Sequence, residues 1–327
     1  MAVLITGGAG FVGLNLVEQL LKRGENVVIF GPSPPPLAAI HAMAREPGQL
    51  TVAHGDVGIG ADLDAVLRGH SIDRIVHGAA ITADLAREQR AARDIFTVNL
   101  LGAVEVLEAA LRHKVRRVVQ LSTGSIFGLA GQVDGMLDEQ TSPAFPETLY
   151  GISKFAAERT GIRYRQTRGL NLTVARLGMV FGRWEYNTGA RDTLSLPLQL
   201  LRIAEDGGQA IVHRGAADDW VYSVDVARGL IAMLDLPTMP DPVYHLSAGV
   251  RWPVQTWCER LREQYPQFIY RMADRLDECT VGRNKAAPRA PMNIARIRRD
   301  TGYEPVYLLN RAFKDYLAWR ASVGKFG

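Results

Sequence analysis

A tyrosine and a lysine four residues apart form the part of the sequence with the most evident chemistry. Tyr150 and Lys154 occur in the run YGISK. On a helix this spacing puts both side chains on one face. A phenol has a pKa of about 10 and is a poor base at neutral pH, but a neighbouring ammonium group lowers that pKa. The pair could therefore move a proton to or from a hydroxyl or carbonyl group.

Hydroxyl side chains end a predicted strand upstream of this pair. The run LSTGSIFG contains Ser122, Thr123 and Ser125. Ligands of open α/β sheets bind beyond the carboxyl ends of the strands, so these hydroxyls are candidate substrate contacts. Asn99, within a predicted helix, is a candidate cofactor contact, and a polar surface position is the alternative.

A glycine-rich loop separates the first predicted strand from the first predicted helix. Gly7, Gly10 and Gly13 give the spacing GxxGxxG, and Phe11 and Val12 lie between the last two glycines. Such a loop permits positive φ angles and close approach of the backbone to a pyrophosphate, which then faces the helix N-terminus. We assign these five residues to dinucleotide binding.

Three later strand ends extend the predicted cofactor site. Asp56 and Val57 follow the third strand, and Asp56 could bind the adenine amino group or only stabilise a turn. Ala79 and Ala80 end the fourth strand with small side chains. The second strand ends at Gly31, where dinucleotide-binding proteins usually carry an acid for the ribose 2′-hydroxyl. Because that acid is missing, both NAD and NADP remain possible cofactors.

The order of predicted elements indicates an α/β fold. Apolar runs at 3–5, 26–30, 50–53, 74–77, 115–121, 172–175 and 243–246 predict strands, and 11–23, 89–113 and 149–168 predict helices. This alternation predicts a Rossmann-type doubly wound parallel sheet with a smaller, interleaved C-terminal lobe that binds substrate. We expect residues 1–176 to form the dinucleotide-binding domain, with 212–247 returning to it, and residues 177–211 and 248–327 to form the substrate lobe.

Taken together, the motifs resemble the extended short-chain dehydrogenase/reductase family, the NAD-dependent epimerase/dehydratase group. The matches occur in order, at residues 6–13, 55–57, 77–80, 98–102, 121–128, 150–154 and 219–227. The resemblance implies that Tyr150 is the acid/base and that Lys154 holds the nicotinamide ribose. It implies that Thr123 orients the substrate oxygen, with Ser122 as the alternative. It also implies a homodimer formed by helices 89–113 and 149–168.

Several positions depart from the pattern of that family. Family dehydratases carry acidic residues directly after the catalytic Thr, whereas Gly124 and Ser125 follow here, which disfavours elimination of water. Members that bind nucleotide sugars carry an Arg and an Asn where this chain has Asp218 and Met179. A carboxylate at 218 would repel a diphosphate, since unit charges about 4 Å apart interact by about 4 kcal/mol at an effective dielectric of 20.

The run at 182–192 offers other contacts for a substrate. Arg183, Trp184 and Arg191 are candidate substrate residues, because arginine can bind a carboxylate through two parallel hydrogen bonds. The alternative is a surface loop with internal ion pairs, Arg183 to Glu185 and Arg191 to Asp192. A small sugar acid or lactone would suit the first interpretation.

Composition narrows the partners and the compartment. The net charge is +4, and the densest basic stretch, residues 283–299, is either a solvated face or a funnel for an anionic substrate. The basic residues lack an aromatic-interleaved motif, so we expect no nucleic acid partner. The two cysteines suggest no metal site and fit a reducing cytoplasm. We expect no signal peptide and no membrane span.

The sequence therefore predicts an NAD(P)-dependent oxidoreductase that acts on a hydroxyl or carbonyl group of a small non-nucleotide substrate. Two alternatives stay open, an NAD-dependent nucleotide-sugar epimerase and a non-catalytic cofactor-binding regulator. Net reduction of free cofactor would separate the first two, and the intact Thr123, Tyr150 and Lys154 argue against the third.

Overall fold

Strands and helices alternate through the first half of the chain. The computed structural model describes residues 1–281, 289–324 and 326. Its strands are β1 (Ala2–Thr6), β2 (Asn26–Gly31), β3 (Leu50–His54), β4 (Ile72–His77), β5 (Arg117–Thr123), β6 (Leu172–Leu177), β7 (Met179–Phe181), β8 (Gln209–His213), β9 (Ala217–Asp218), β10 (Trp220–Tyr222), β11 (Val243–Leu246), β12 (Trp252–Pro253) and β13 (Ile269–Ala273).

The helices connect consecutive strands in the first half and dominate the end of the chain. They are α1 (Phe11–Lys22), α2 (Leu37–Met43), α3 (Gly60–Gly69), α4 (Leu85–Phe96), α5 (Gly102–Arg112), α6 (Leu149–Arg168), α7 (Leu196–Glu205), α8 (Ser223–Asp235), α9 (Val254–Gln264), α10 (Ala295–Thr301) and α11 (Leu309–Val323). A π-helical turn spans Thr97–Leu101, and 3-10 segments span Gly124–Gly131 and Leu276–Glu278.

The main sheet is parallel, with the strand order β11-β6-β5-β4-β1-β2-β3. Strands such as β1, β5 and β6 are buried along their whole length, as expected for a sheet covered on both faces. The order reverses between β1 and β4, which creates the crevice in which such sheets bind ligands. The predicted fold class is confirmed.

The prediction of one long helix over residues 89–113 is wrong, because this segment contains two helices joined by a π-helical turn. Helix α4 ends at Phe96, the π-helical turn follows, and α5 begins at Gly102. Inside α4, Ala91 leaves the helical conformation with a φ of −141°. A π-helical turn inserts one residue into the helical repeat, and here Asn99 within that turn is fully buried.

After β6, one of the described strands joins the main sheet and the others pair outside it. Strand β11 extends the main sheet beside β6, as the predicted return to the first domain requires. Strand β8 instead pairs with β13, and β10 pairs with β7. The part of the chain after residue 251 contributes the strands β12 and β13 as well as helices. The division into two domains stays a prediction.

An aromatic cluster forms the core of the C-terminal lobe. The ring of Phe181 makes edge-to-face contacts with Trp257 and Tyr222, both at 5.4 Å between centroids, and with Trp220 at 6.3 Å. These contacts fasten β7, β10 and α9 together at the carboxyl end of the main sheet. Within the described residues, no helix is both long and apolar enough to cross a membrane, and no group of three or more metal-ligating side chains occurs.

Candidate active site

The glycine loop is packed too tightly for side chains. Gly7 has a φ of +68°, and a Cβ atom built on it would lie 2.8 Å from the backbone of Ala79. A Cβ atom on Gly13 would lie 2.6 Å from the carbonyl oxygen of Gly7. No side chain caps α1 at Gly10, so the first N–H groups of the helix are left for an anion. This cradle fits the pyrophosphate of a dinucleotide.

The other predicted cofactor residues line or support this cradle to different degrees. Phe11 and Val12 open α1, and Val12 packs partly against the core. Val57 is 4% exposed and fills space beside Gly102, so it packs inside the protein. Ala80 is half-buried.

Asp56 stabilises the turn after β3. It is exposed, and its Oδ1 accepts a hydrogen bond from the N–H of Gly58 at 2.8 Å. The geometry therefore shows the turn-stabilising role directly. A bond from Asp56 to adenine stays a prediction.

A neutral histidine lies behind the cradle. Burial, with a smaller effect from the charge of Lys154, lowers the pKa of His77 to about 3. Its Nδ1 shares a hydrogen bond of 2.8 Å with the hydroxyl of Thr6, and Nε2 has no partner. His77 thus carries no charge at neutral pH.

The predicted proton carrier lies beside the hydroxyls at the end of β5. Burial raises the pKa of Tyr150, while interactions with the hydroxyls of Thr123 and Thr82 and the charge of Arg191 act to lower it. The sequence predicted a pKa lowered by Lys154. The structure instead shows a partly buried phenol whose pKa lies above the ordinary value, because the loss of water around the phenolate outweighs the favourable neighbours.

Lys154 lies in a buried and charged environment on α6. It is 3% exposed, and burial lowers its pKa to about 8, whereas the carboxylate of Glu158 acts to raise it. Glu158 is fully buried and binds Arg176 through an ion pair of 2.6 Å. The carboxylate therefore keeps the ammonium group charged at neutral pH.

The hydroxyls of Ser122 and Thr123 have different partners. Ser122 donates a hydrogen bond of 2.8 Å to Oε2 of Glu158, so its hydroxyl is engaged within the protein. Thr123 Oγ1 accepts the N–H of Ser125 at 3.1 Å and lies 3.2 Å from the Ser125 hydroxyl. The geometry favours Thr123 as the residue that orients the substrate oxygen, with Ser125 beside it.

Asn99 connects three elements of the site. Its Oδ1 accepts the N–H of Ile81 at 2.7 Å, and its Nδ2 donates to the carbonyl of Ile81 and to the hydroxyl of Ser153, both at 3.0 Å. Ser153 donates in turn to the carbonyl of Tyr150 at 3.0 Å. Asn99 therefore positions the loop after β4 against α6, and a direct contact with cofactor stays a prediction.

Arg183 and Trp184 are bound inside the protein. Arg183 donates to both carboxylate oxygens of Asp315, at 2.8 and 2.5 Å. Trp184 is 1% exposed, and its indole N–H donates to Glu18 at 2.7 Å. Both side chains are engaged within the protein in this arrangement, and the substrate role predicted for them stays a prediction.

Arg191 lies close enough to Tyr150 to affect its pKa, but its guanidinium forms an ion pair with Glu185. Its guanidinium pairs with Glu185 at 3.2 Å and lies 5.2 Å from the centroid of the Phe11 ring. The backbone of Arg191 pairs with Thr82. The positive charge of Arg191 is therefore held in place near Tyr150. A contact between Arg191 and the substrate stays a prediction. The internal ion pairs of the alternative interpretation form with other partners, because Arg191 pairs with Glu185 and Asp192 pairs with Arg87 at 2.7 Å.

The structure reveals site residues that the sequence did not indicate. Thr82 follows the HGAA run and supports Tyr150, and the hydroxyl of Tyr186 donates to the carbonyl of Ala9 at 2.6 Å. Glu158 lies four residues after Lys154, a helical spacing that could have signalled a shared face. Arg289, which contacts Gly124, by contrast belongs to the basic stretch 283–299 that the sequence offered as a funnel for an anionic substrate, of which residues 283–288 lie outside the described residues.

Several of the proteins similar to this chain are named as epimerases or dehydratases of nucleotide sugars. A dTDP-glucose 4,6-dehydratase from Streptomyces niveus is 29% identical over 76% of this chain and 73% of the relative. A UDP-glucose 4-epimerase from Halalkalibacterium halodurans is 31% identical over 49% of this chain and 45% of the relative. The crystal structure of a UDP-glucose 4-epimerase from Thermotoga maritima with UDP-glucose shares the fold, with a TM-score of 0.82, 20% identity and coverage of 99% and 100%.

The model of the NAD dependent epimerase/dehydratase family matches residues 3–251, which contain the glycine cradle, Thr123, Tyr150 and Lys154. The resemblance recognised in the motifs is thus confirmed, as is the expectation of an enzyme that uses NAD or NADP. This chain belongs to the NAD-dependent epimerase/dehydratase family and is an enzyme of the extended short-chain dehydrogenase/reductase type.

Proposed function

We propose that the protein is an epimerase that inverts one carbinol carbon of a nucleotide-linked sugar. A bound nicotinamide would supply the hydride acceptor and, for the return of the hydride, the donor. Tyr150 takes the proton of the sugar hydroxyl and later returns it to the carbonyl oxygen. Thr123 holds that oxygen. We assign to Lys154, whose charge Glu158 favours, the role of stabilising the ionised form of Tyr150 once the cofactor and substrate are bound, before Tyr150 accepts the proton.

The observation that carries this proposal is the composition of the site around Thr123. The groups placed to move a proton there are Tyr150 and the adjacent hydroxyl of Thr123, with Lys154 on the same helix as Tyr150. Gly124 follows Thr123 directly. Epimerisation by transient oxidation needs one proton carrier, whereas elimination of water needs a further acid and base. The arrangement therefore supports epimerisation over dehydration.

A nucleotide-linked substrate is supported by the family and the relatives, and not by phosphate-binding side chains at residues 179 and 218. Sequence analysis favoured a small non-nucleotide substrate because Asp218 and Met179 replace expected phosphate contacts. In the structure Met179 is 37% exposed and Asp218 lies in β9, paired with Trp252. The relatives favour the nucleotide-sugar alternative, so we adopt it.

The direct test is a product analysis. The protein, saturated with NAD, is incubated with UDP-glucose, dTDP-glucose or UDP-glucuronate, and the sugars are identified by NMR while reduced nicotinamide is followed by absorbance. We expect a sugar inverted at one carbon with no net formation of NADH. A keto-deoxy sugar would show a dehydratase. Stoichiometric NADH, or turnover of free sugar acids alone, would show the small-substrate dehydrogenase instead.

A further inference from the structure

An arginine from the C-terminal segment lies against the backbone next to Thr123. A Cβ atom built on Gly124 would lie 2.4 Å from Nη1, 2.5 Å from Cζ and 2.7 Å from Nη2 of Arg289. The aliphatic stem of Arg289 packs against Gly131, where a Cβ atom would lie 2.9 Å from its Cγ. The guanidinium thus occupies the space that a side chain after Thr123 would take.

This guanidinium is buried but incompletely bonded. Arg289 is 6% exposed, and its Nε is buried without a hydrogen-bond partner. Nη2 contacts the sulfur of Met292 at 4.0 Å, and a thioether is a weak acceptor. Buried donors without partners are rare and costly in native proteins. An anionic ligand would provide the missing acceptors.

Two carboxylates act on Arg289 from nearby. The charges of Asp218 and Asp219 favour its protonated form, while burial lowers its pKa. Asp219 is bonded elsewhere, because its Oδ2 accepts the N–H of Met292 at 2.8 Å. Arginine stays protonated in proteins at neutral pH. The result is a fixed cation against the backbone of Gly124, the residue that follows Thr123.

We propose that Arg289 binds a carboxylate of the substrate, so that a sugar acid is preferred over the neutral sugar. This inference rests on the proposed function in taking a sugar as the substrate. Because Gly124 adjoins Thr123, the guanidinium reaches a substituent near the carbon whose hydroxyl Thr123 orients. The planar fork of arginine matches the two oxygens of a carboxylate.

The two arginines predicted to receive a carboxylate lack this property. Arg183 is bound by both oxygens of Asp315, and Arg191 is paired with Glu185. Of these three cations, Arg289 is the one with an unpartnered, buried donor next to Thr123. The anion site inferred from the sequence therefore moves to a residue 98 positions further along the chain than Arg191.

The experiment compares affinities of the NAD-saturated protein for UDP-glucuronate and UDP-glucose, and for free glucuronate and glucose, by calorimetry. The main variant is Arg289→Gln. Arg298→Gln is the matched control, since it removes one positive charge from exposed α10, where Arg298 pairs with Glu304 at 2.8 Å. Gly124→Ala is a second variant, which keeps the charge but displaces the guanidinium. Thermal unfolding confirms that each variant is folded.

We expect the wild type to bind the carboxylate-bearing ligand about 10- to 100-fold more tightly than its neutral counterpart, or about 1.4–2.8 kcal/mol. Arg289→Gln and Gly124→Ala should abolish most of this preference, and Arg298→Gln should retain it. Equal affinities in the wild type, or a preference that survives in both site variants, would overturn the inference. A preference for free glucuronate with no binding of either nucleotide would refute the proposed function and leave this inference standing. Binding of none of the four probes would refute both.

Discussion

Replacing Glu158 by Gln should weaken both the fold and the control of Lys154. Glu158 accepts three hydrogen bonds within 3.3 Å from Arg176 and one of 2.8 Å from Ser122. The side chains of Glu158 and Arg176 are 0% and 6% exposed. Removing one partner of a buried ion pair leaves the other charge uncompensated, which costs about 3–5 kcal/mol.

The same substitution should change the pH dependence of turnover. The carboxylate of Glu158 acts to raise the pKa of Lys154, which burial lowers to about 8. Without that carboxylate the pKa should fall further, so that Lys154 loses its proton at a lower pH. The alkaline limit of kcat should therefore move towards neutral pH in Glu158→Gln.

Two measurements test this reasoning. Urea denaturation gives the free energy of unfolding, and a pH–rate profile gives the alkaline limit. Ser122→Ala is the matched control, because it removes one hydrogen bond to Glu158, at about 1–3 kcal/mol, and leaves the charges in place. A loss below about 1 kcal/mol for Glu158→Gln, together with an unchanged alkaline limit, would refute the role assigned to Glu158.

Four further predictions concern the cofactor, the pH dependence and the assembly. Gly7→Ala should abolish NAD binding measured by calorimetry, because its φ of +68° and the backbone of Ala79 at 2.8 Å exclude a methyl group; unchanged affinity would contradict the cradle. Gly31→Asp should shift preference towards NAD over NADP, and a strong preference of the wild type for NAD would show that other groups bind the ribose. His77, with a pKa lowered from 6.5 to about 3, binds fewer protons in the native than in the unfolded protein between these values. Stability should therefore be lost as pH falls below 6.5, by about 2 kcal/mol at pH 5, and urea denaturation of His77→Asn should show a shallower loss; identical pH dependence would refute this. Leu101, 55% exposed at the end of the π-helical turn, lies on the predicted dimer face, so Leu101→Glu should convert dimer to monomer in light scattering, and a monomeric wild type would contradict the homodimer.

Local patterns were sufficient to predict the sheet and to place the proposed proton-transfer pair on one helix. Apolar β-rich runs between helical segments gave the seven strands of the main sheet, since buried parallel strands read as continuous apolar runs. Tyr150 and Lys154 were predicted because they are four residues apart on one helix, and Gly7 and Gly13 because the loop spacing is strict. Each of these signals lies within a short stretch of chain.

The partners of charged groups could not be predicted in this way. Asp315, which binds Arg183, is 132 residues away, and the residues that bind Glu158 come from β5 and β6. Such pairs are decided by the tertiary path of the chain, and internal pairs between sequence neighbours were the natural but wrong expectation for Arg183. The position of Arg289 over Gly124 depends on the same long-range path.

Hydrophobic periodicity also did not predict the break between α4 and α5. The helical spacing of Ile95, Val98 and Leu101 continues across it, so periodicity alone predicts one helix. The π-helical turn forms where Asn99 bonds to both backbone groups of Ile81. This contact brings together segments separated by a loop, which hydrophobic periodicity does not report.

The measurement that tests the central claim most directly is single turnover by Tyr150→Phe loaded with NAD. Formation of bound reduced nicotinamide on mixing with UDP-glucuronate or UDP-glucose is followed by absorbance, and calorimetry measures the affinity for NAD. We predict that the wild type forms the reduced nicotinamide transiently and yields an epimer. Tyr150→Phe should bind NAD with nearly unchanged affinity and form neither. If Tyr150→Phe retains most of the turnover of the wild type, Tyr150 is not the proton carrier and the account of this site is wrong.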